Sequence, residues 1–294
     1  FFSSYIPWPK RLIYYFKFRS FPMFNNFVNF NIMKDIENDI LFRDINNKFE
    51  DSYLSLAIKL IPKSYLENFK EYSIFSSTIF PQSPLFAVTG TGHFNNDIFK
   101  IWMANRLQKS KLIIIQHGGH YGLGKISNCQ AWEFDISDYF LSWGWLNKSY
   151  PKIIPYGKFI KPISKNLKIK SQILYIIGSG NDRYISSTIS MPLGEQWLDY
   201  INSITKFINN LDSNIISKTI IRPYPSKTGW DQDKIYFDNF KNIKIEKLST
   251  NINSSISDAR LVICTWNSTN FLNLLYSNIP TICFWDSNLF EMEK

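Results

Sequence analysis

The sequence has 294 residues, which is long enough for two domains of ordinary size, each with its own apolar core. Its hydrophobic content of 45% and aromatic content of 17% exclude a disordered chain and are typical of a globular protein. The net charge of +9 comes from scattered basic residues, so we expect no nucleic-acid partner. The three cysteines have no CxxC spacing, so we expect no disulfide framework and a reducing compartment.

Residues 1 to about 80 carry mixed helical patterns, with a break at Pro62. The opening stretch, PWPKRLIYYFKFRSFPMF, has two interpretations: a segment that rests on a membrane surface, or an ordinary basic surface segment with a half-buried aromatic side. No apolar run reaches the roughly 20 residues that span a bilayer. The chain begins with Phe rather than Met and stops soon after an apolar run, so we expect it to be a piece of a longer protein.

Strand and helix patterns alternate from residue 85 onward. LFAVTG (85–90) predicts a buried strand that runs into a glycine loop, HFNNDIFKIWMANRLQKS (93–110) a helix, and KLIIIQHGG and DYFLSWGW two further strands. The apolar side of that helix is formed by Phe99, Trp102, Met103 and Leu107. Short glycine-containing connections indicate a parallel α/β unit. We assign residues 1–155 to an N-terminal α/β domain on the acceptor side, which includes the histidine-containing loop that follows KLIII. A stretch rich in Pro, Lys and Ser, from about 151 to 170, is the predicted linker.

A second α/β series fills residues 170–294, a C-terminal domain that we expect to be truncated. Its predicted strands are SQILYIIGSG, SKTIIRPYP, NIKIEKL, RLVICTW and IPTICFWD, and its predicted helices are LGEQWLDYINSITKFINNL and STNFLNLLYS. The two series predict an α/β fold of two Rossmann-like domains that face a cleft at the carboxyl ends of their strands, with a partly helical N-terminal segment.

The C-terminal domain carries a predicted anion site. Ser268 and Thr269 stand at a strand-to-helix turn, where backbone N–H groups and hydroxyls bind anions, although Ser and Thr also serve there as ordinary N-caps. Arg222 stands at the end of a neighbouring strand and is predicted to hold a diphosphate or a carboxylate. Gly178, in the glycine loop after the first strand of this series, is assigned to the same nucleotide site.

This pattern resembles the donor-binding domain of GT-B glycosyltransferases, in which a strand, a Ser/Thr-containing loop, a helix and a strand cradle the nucleotide sugar. In many of those enzymes a Glu in the helix holds the ribose hydroxyls. The matching position here is Asn273, which offers hydrogen bonds without a charge. The resemblance implies a nucleotide-sugar donor and catalysis that needs no bound metal ion.

All three histidines of the chain stand beside glycine, and two of them lie in QHGGHYG (116–122), directly after a predicted buried strand. Glycines at this place let the backbone approach a ligand closely. Together with SDYFLSWGW, this block closely resembles transferases encoded in bacterial surface-carbohydrate (O-antigen type) gene clusters, over residues 85–286. The resemblance implies a GT-B-like transferase for surface polysaccharides such as lipopolysaccharide.

The residues of this block receive individual roles. His117 is the predicted general base or phosphate-binding group, because an imidazole accepts a proton near neutral pH. Gln116 and His120 are predicted to position the acceptor or a phosphate. Glu133 and Asp138 are predicted to orient a histidine or to act as the base, unless they are solvated or capping carboxylates. The binding set of the block is completed by Gly118, Gly119 and Tyr121.

Two alternatives stay open. His93, His117 and His120, with Asp135 or Asp138, have the composition of a zinc site in a hydrolase, although the sequence has no HExxH spacing and His93 is equally an N-cap neighbour of its helix. The other alternative is a carbohydrate-binding protein without catalysis.

The sequence therefore predicts a metal-independent, glycosyltransferase-like enzyme without a cofactor. It would move a sugar or sugar-like group from a nucleotide-activated donor to a glycan or lipid-linked glycan acceptor on the way to the cell surface. We expect it in the cytoplasm, and the basic start of the chain allows a peripheral contact with the inner face of the membrane.

Overall fold

The computed structural model describes residues 6–17, 48–106, 109–158, 162–164, 172–179, 183, 191–225 and 229–293. The chain divides into two compact units: the first comprises Phe1–Ile115, Ile136–Ser142 and Lys152–Phe159, and the second Gln116–Asp135, Trp143–Pro151 and Ile160–Lys294. The QHGGHYG motif thus belongs to the second unit, although it follows a strand of the first. The division into domains 1–155 and 170–294 stays a prediction.

The first unit contains a parallel sheet of four strands in the order β1-β2-β3-β4. The strands are β1 (Phe86–Thr89), β2 (Lys111–Ile115), β3 (Tyr139–Ser142) and β4 (Ile153–Pro155). The first three confirm predicted strands, but β4 lies where we predicted linker. That prediction was wrong at β4 because Ile153 pairs with Phe140 at the edge of the sheet and is buried. Parts of the predicted linker, 159–161 and 165–170, lie outside the described residues.

Along the chain, helices precede these strands or connect them. They are α1 (Trp8–Lys17), α2 (Lys48–Leu60), α3 (Phe69–Ile79), α4 (Gly92–Asn95), α5 (Asp97–Ala104) and α6 (Asn128–Ile136). The predicted helix 93–110 is divided at Asn96, whose extended backbone ends α4 and whose side chain accepts a hydrogen bond from Phe99 N at 2.8 Å as the N-cap of α5. The predicted apolar side is buried at Phe99, Trp102 and Met103, and Leu107 lies outside the described residues.

The second unit contains a parallel sheet of five strands in the order β7-β6-β5-β8-β9. The strands are β5 (Leu174–Ile177), β6 (Thr219–Arg222), β7 (Lys244–Ile245), β8 (Leu261–Cys264) and β9 (Thr281–Cys283). The chain builds outward from β5 in one direction and then returns to place β8 on its other side. The carboxyl ends of β5 and β8 are therefore the switch point at which ligands bind in open α/β sheets.

Helices cover both faces of the second sheet. They are α7 (Gln196–Asn209), α8 (Ser213–Ile216), α9 (Gln232–Asn239), α10 (Ile252–Asp258) and α11 (Thr269–Tyr276). One face packs Ile176 and Ile221 against the α7 side chains Trp197, Ile201 and Ile204, and the other packs Tyr175, Ile177 and Val262 against Phe271 and Leu274 of α11. Burial on both faces explains why β5 reads as the unbroken apolar run LYII. The predicted α/β class is confirmed.

No helix in the described part of the chain combines the length and the apolar character that a bilayer crossing requires.

Candidate functional site

Gln116 fixes the start of the histidine loop, which we define as residues 116–124. Its side chain is buried and fully engaged: Nε2 donates to Gly118 O at 2.6 Å, while Oε1 accepts from Trp143 N and from Trp145 Nε1, both at 2.8 Å. Its carbonyl accepts from Trp143 Nε1 at 3.0 Å. Gln116 thus shapes the loop, and its predicted role of positioning the acceptor or a phosphate stays a prediction. Both tryptophans of SDYFLSWGW thus donate hydrogen bonds to Gln116, the first residue of QHGGHYG, so the two motifs contact each other.

The loop brings His117 beside a carboxylate and a phenol. His117 Nδ1 lies 3.5 Å from Glu133 Oε1 and 3.0 Å from the Tyr121 hydroxyl. The Glu133 side chain is fully buried on α6, whereas that of His117 keeps 26% exposure. A buried carboxylate beside one imidazole nitrogen orients the ring, and such a pairing serves acid–base catalysis by histidine. The predicted residues His117, Tyr121 and Glu133 therefore meet in space.

The same helix holds the loop through a residue that sequence reasoning missed. Gln130 Oε1 accepts a hydrogen bond from Gly122 N at 2.7 Å. Gly122 has a φ of +70° and a Cβ there would lie 2.8 Å from the Trp145 ring, so only glycine fits. Gln130 and Glu133 are three residues apart and share one face of α6, and that spacing was the available signal.

Gly119 seats the histidine loop on the N-terminus of α11. Its N–H donates to Thr269 Oγ1 at 3.0 Å, across 150 residues of sequence. A Cβ on Gly119 would lie 2.6 Å from Thr269 Cα and N, whereas a Cβ on Gly118 would keep an ordinary 3.7 Å from Thr269 Oγ1. The loop backbone therefore approaches α11 too closely for any side chain at position 119. Thr269 begins α11 and also accepts a hydrogen bond from the loop.

We expect Gly119→Ala to lower the free energy of unfolding by about 1–3 kcal/mol, the usual cost of forcing atoms into a filled site. The clash is with the backbone of α11, so the loop must also move away from Thr269. Gly118→Ala is the matched control and should change stability by less than about 0.5 kcal/mol. Urea unfolding followed by circular dichroism measures both, and equal stability of the two variants would contradict the close approach.

His120 has a structural place in the loop. Burial lowers its pKa, while backbone hydrogen bonds with Ile126 and Asn267 act in the opposite direction. Its ring packs directly on Gly124, where no Cβ could be added without striking the imidazole. The backbone beside the ring is tied further, since Gly124 pairs with Met292 and Leu123 O accepts from Glu293 N at 2.8 Å. His120 thus packs inside the loop, beside the backbone that pairs with Met292 and Glu293.

The lowered pKa of His120 predicts a loss of stability in mild acid. A group whose pKa is depressed by folding binds protons more readily in the unfolded chain, so its contribution is present above the unfolded pKa, near 6.5, and is lost as the pH falls. Urea midpoints measured from pH 7.5 to 5 should fall for the wild type and fall less for His120→Gln. Parallel curves for the two proteins would show that His120 is not the group responsible.

Ser268, Thr269 and Asn273 lie at the start of α11, just after the carboxyl end of β8. Ser268 has extended backbone and makes no capping hydrogen bond with its side chain, and the N-terminus of a helix is a position where anions bind in many proteins. Among the described residues, Asn267 Nδ2 and Asn273 Oδ1 are buried and find no hydrogen-bond partner. Asn267, 1% exposed, was not singled out from the sequence. A polar ligand would satisfy such groups.

Gly178 stands at the other half of the switch point, after β5. A Cβ there would collide with the Tyr236 hydroxyl, so glycine is required for packing. The next residue donates Ser179 N to the Tyr200 hydroxyl at 2.6 Å, and that hydroxyl contacts Thr265 Oγ1 at 2.5 Å. Burial raises the pKa of Tyr200 far above its usual range. The role of Gly178 in nucleotide binding stays a prediction.

Arg222 is engaged inside the second unit. Its Nη1 donates to Glu246 Oε2 at 2.6 Å and to Thr250 O at 2.9 Å, and its Nη2 donates to Leu248 O at 3.2 Å. Both side chains of the ion pair are 8% exposed. Burial would raise the pKa of Glu246, but hydrogen bonds from Ser255, Tyr175 and Arg222 outweigh it and hold that pKa below its usual range. This geometry gives Arg222 a structural role, and the predicted diphosphate contact stays a prediction.

Asp138 likewise has local partners. It accepts from Lys111 Nζ at 2.7 Å and from Leu112 N at 2.8 Å. Burial would raise its pKa, but these hydrogen bonds lower it below the usual range. Asp138 directly precedes β3, so it marks the amino edge of its sheet and caps β2. A carboxylate with a lowered pKa at that edge is a poor general base, and its predicted catalytic role gives way to this capping role.

The zinc alternative lacks a ligand set. In the part of the chain that the structure describes, no three His, Cys, Asp or Glu side chains form a group able to hold a metal ion. His93 is buried on α4 in the first unit, close to the carboxyl end of β1.

A family model for the LIC12162 family of transferases matches residues 1–294. The chain belongs to this family of transferases. No curated protein matches it. The match extends over more of the chain than the 85–286 resemblance, and it confirms that the protein is a transferase. The histidine loop, α6 and the N-terminus of α11 thus form the candidate site of a transferase.

Proposed function

We propose that this transferase moves a sugar or sugar-like group from a nucleotide-activated donor to a surface glycan acceptor. One observation carries the proposal: the contact of Gly119 with Thr269 joins the His117–Glu133 pair to the N-terminus of α11 within the second unit. Glycosyl transfer needs a base for the acceptor hydroxyl and positive potential for the departing diphosphate, and these two features supply them.

The proposed roles follow from the contacts. The donor diphosphate lies at the first N–H groups of α11, with Ser268 and Thr269 beside it, and Asn267 and Asn273 bind its polar groups. His117 takes the proton of the attacking hydroxyl, and Glu133 stabilises the imidazolium that results. The helix end stabilises the leaving diphosphate, so we propose catalysis without a bound metal ion.

The wider setting is also part of the proposal. The order of the second sheet, with its switch point at β5 and β8, suits the donor half of a GT-B-like enzyme. Nucleotide-activated donors and the three free cysteines suit the cytoplasm, and a glycan or lipid-linked glycan of the cell surface, such as an O-antigen, is the proposed acceptor.

Calorimetric titration with a panel of nucleoside mono- and diphosphates tests the proposal. We expect saturable binding of one nucleoside diphosphate, retained after dialysis against EDTA. Asn273→Asp should weaken it, because a carboxylate replaces the amide beside the anion site. Wild-type protein that binds none of the panel would refute the donor assignment, and binding only after addition of a divalent metal would refute metal independence.

A further inference from the structure

Helix α1 is fastened to the first unit by one side. Tyr15 is buried at 7% exposure, and the Tyr14 hydroxyl lies 3.1 Å from the hydroxyl of Tyr156, which follows β4. Arg11 turns back to the chain, where its Nε donates to Ile6 O at 2.6 Å. Tyr15 therefore marks the inner side of the helix, and the opposite side is its outer side.

The outer side of α1 exposes large apolar residues. Phe16 is 81% exposed and Ile13 is 64% exposed, and they are three residues apart, so they share one face of the helix. Isolated exposed apolar side chains are common on protein surfaces, but two adjacent ones on a ten-residue helix form a patch that contact with an apolar phase would bury.

Lysines border this patch. At 100° per residue, Lys10 and Lys17 fall beside Ile13 on the outer side, and both are exposed. The sequence of α1, WPKRLIYYFK, contains no acidic residue. Apolar side chains in the middle with lysines at the margin are the pattern of a helix that lies in the plane of a bilayer surface, where apolar groups enter the acyl boundary and ammonium groups reach lipid phosphates.

We infer that the outer face of α1, formed by Ile13, Phe16, Lys10 and Lys17, docks on a membrane surface that contains anionic lipids. The charge on this face selects anionic headgroups over zwitterionic ones. The short patch gives reversible attachment, since one ten-residue helix, about 15 Å long, buries little area. Such attachment would hold the enzyme at the surface where a lipid-linked acceptor resides, but it does not depend on the proposed chemistry.

Co-sedimentation of the full chain with vesicles tests this inference. We expect the protein to sediment with vesicles of phosphatidylcholine and phosphatidylglycerol in equal parts and to stay in solution with pure phosphatidylcholine. Raising the salt concentration to 0.5 M should weaken the binding, because it screens the lysines. Lys10→Gln/Lys17→Gln should lower the partition coefficient by about tenfold or more, since each basic residue at an anionic surface contributes several-fold.

Matched variants distinguish binding through this face from nonspecific binding through other exposed residues. Ile13→Gln/Phe16→Gln should also lower partitioning about tenfold or more. Phe237→Gln removes another exposed ring, 66% exposed on α9, and Lys234→Gln/Lys241→Gln removes two exposed lysines elsewhere. Both controls should bind like the wild type. Circular dichroism checks that each variant is folded. If the apolar variant is unfolded, the α1 lysine variant, which changes only exposed positions, still tests the inference.

Three results would overturn the inference. They are equal binding to anionic and zwitterionic vesicles, wild-type binding by the α1 lysine variant, and a dimer in sedimentation equilibrium that the α1 variants abolish. The last result would assign the same face to a second copy of the chain. Brominated phosphatidylglycerol gives an independent readout: it should quench the fluorescence of a tryptophan introduced on this face by Phe16→Trp.

Discussion

Replacing His117 by alanine is expected to lower kcat by about 10²–10⁴-fold, the range for loss of a positioned proton acceptor. The imidazole lies beside the buried Glu133 carboxylate and keeps 26% side-chain exposure, so a substrate hydroxyl can reach it. The affinity for the nucleotide should change little, because the donor phosphates are assigned to the N-terminus of α11 and the alanine variant leaves the loop backbone in place. A transfer assay gives kcat, and calorimetry gives the dissociation constant.

Two further variants make this test specific. Glu133→Gln keeps the size of the side chain and removes its charge, so it should lower kcat and alter the pH dependence of kcat. His120→Gln should keep the wild-type pH dependence of kcat, because His120 packs on Gly124 and belongs to the scaffold of the loop. Full activity in His117→Ala would end the catalytic assignment and leave the loop with a structural role only.

Arg222→Ala is expected to lower the free energy of unfolding by about 3–5 kcal/mol, the cost of breaking a buried pair and leaving one charge unpaired. Arg222 and Glu246 are each 8% exposed in their side chains, and the guanidinium also holds two carbonyls. The pKa of Glu246 is held low in the folded protein, so the stability that this carboxylate contributes is present above its unfolded pKa and is lost as the pH falls through the folded pKa. Chemical denaturation at pH 7 and pH 4 measures both effects.

Lys111→Ala is the matched control, because it removes an ion pair with Asp138 whose lysine side chain is 58% exposed. It should change the free energy of unfolding little, because solvent screens an exposed ion pair. The donor dissociation constant decides what Arg222 does. A stable Arg222→Ala protein with nucleotide affinity weakened by about 1.5–3 kcal/mol would restore the diphosphate contact that the sequence suggested.

Most strands and helices could be predicted because runs of apolar residues and capping residues are visible within a few positions of the sequence. The buried strands β2 and β5 read as KLIII and LYII, since burial on both faces leaves no polar alternation. The division of the helix at Asn96 was also readable in principle, because asparagine is a preferred N-cap. Strand β4 was missed because three residues at a sheet edge carry no period.

The site was predictable only in its residue types. His117, Tyr121 and Glu133 were chosen from one motif and its flank, and the structure brings them together. The partner of Arg222 was not foreseen, because Glu246 lies 24 residues away, at a distance that no sequence pattern encodes. The contact of Gly119 with Thr269 spans 150 residues. Such pairings arise from the fold, and a single sequence leaves them undetermined.

The seating of the histidine loop on α11 restricts how members of this family can be recombined. A chimera that takes residues 1–155 from one relative and the remainder from another would set a foreign loop on the native α11, where a Cβ on Gly119 has no room. The loop backbone also pairs with residues 291–293 near the end of the chain. Specificity swaps should therefore exchange 116–135 and 143–151 together with the C-terminal half, so that the parts that touch are inherited as one block.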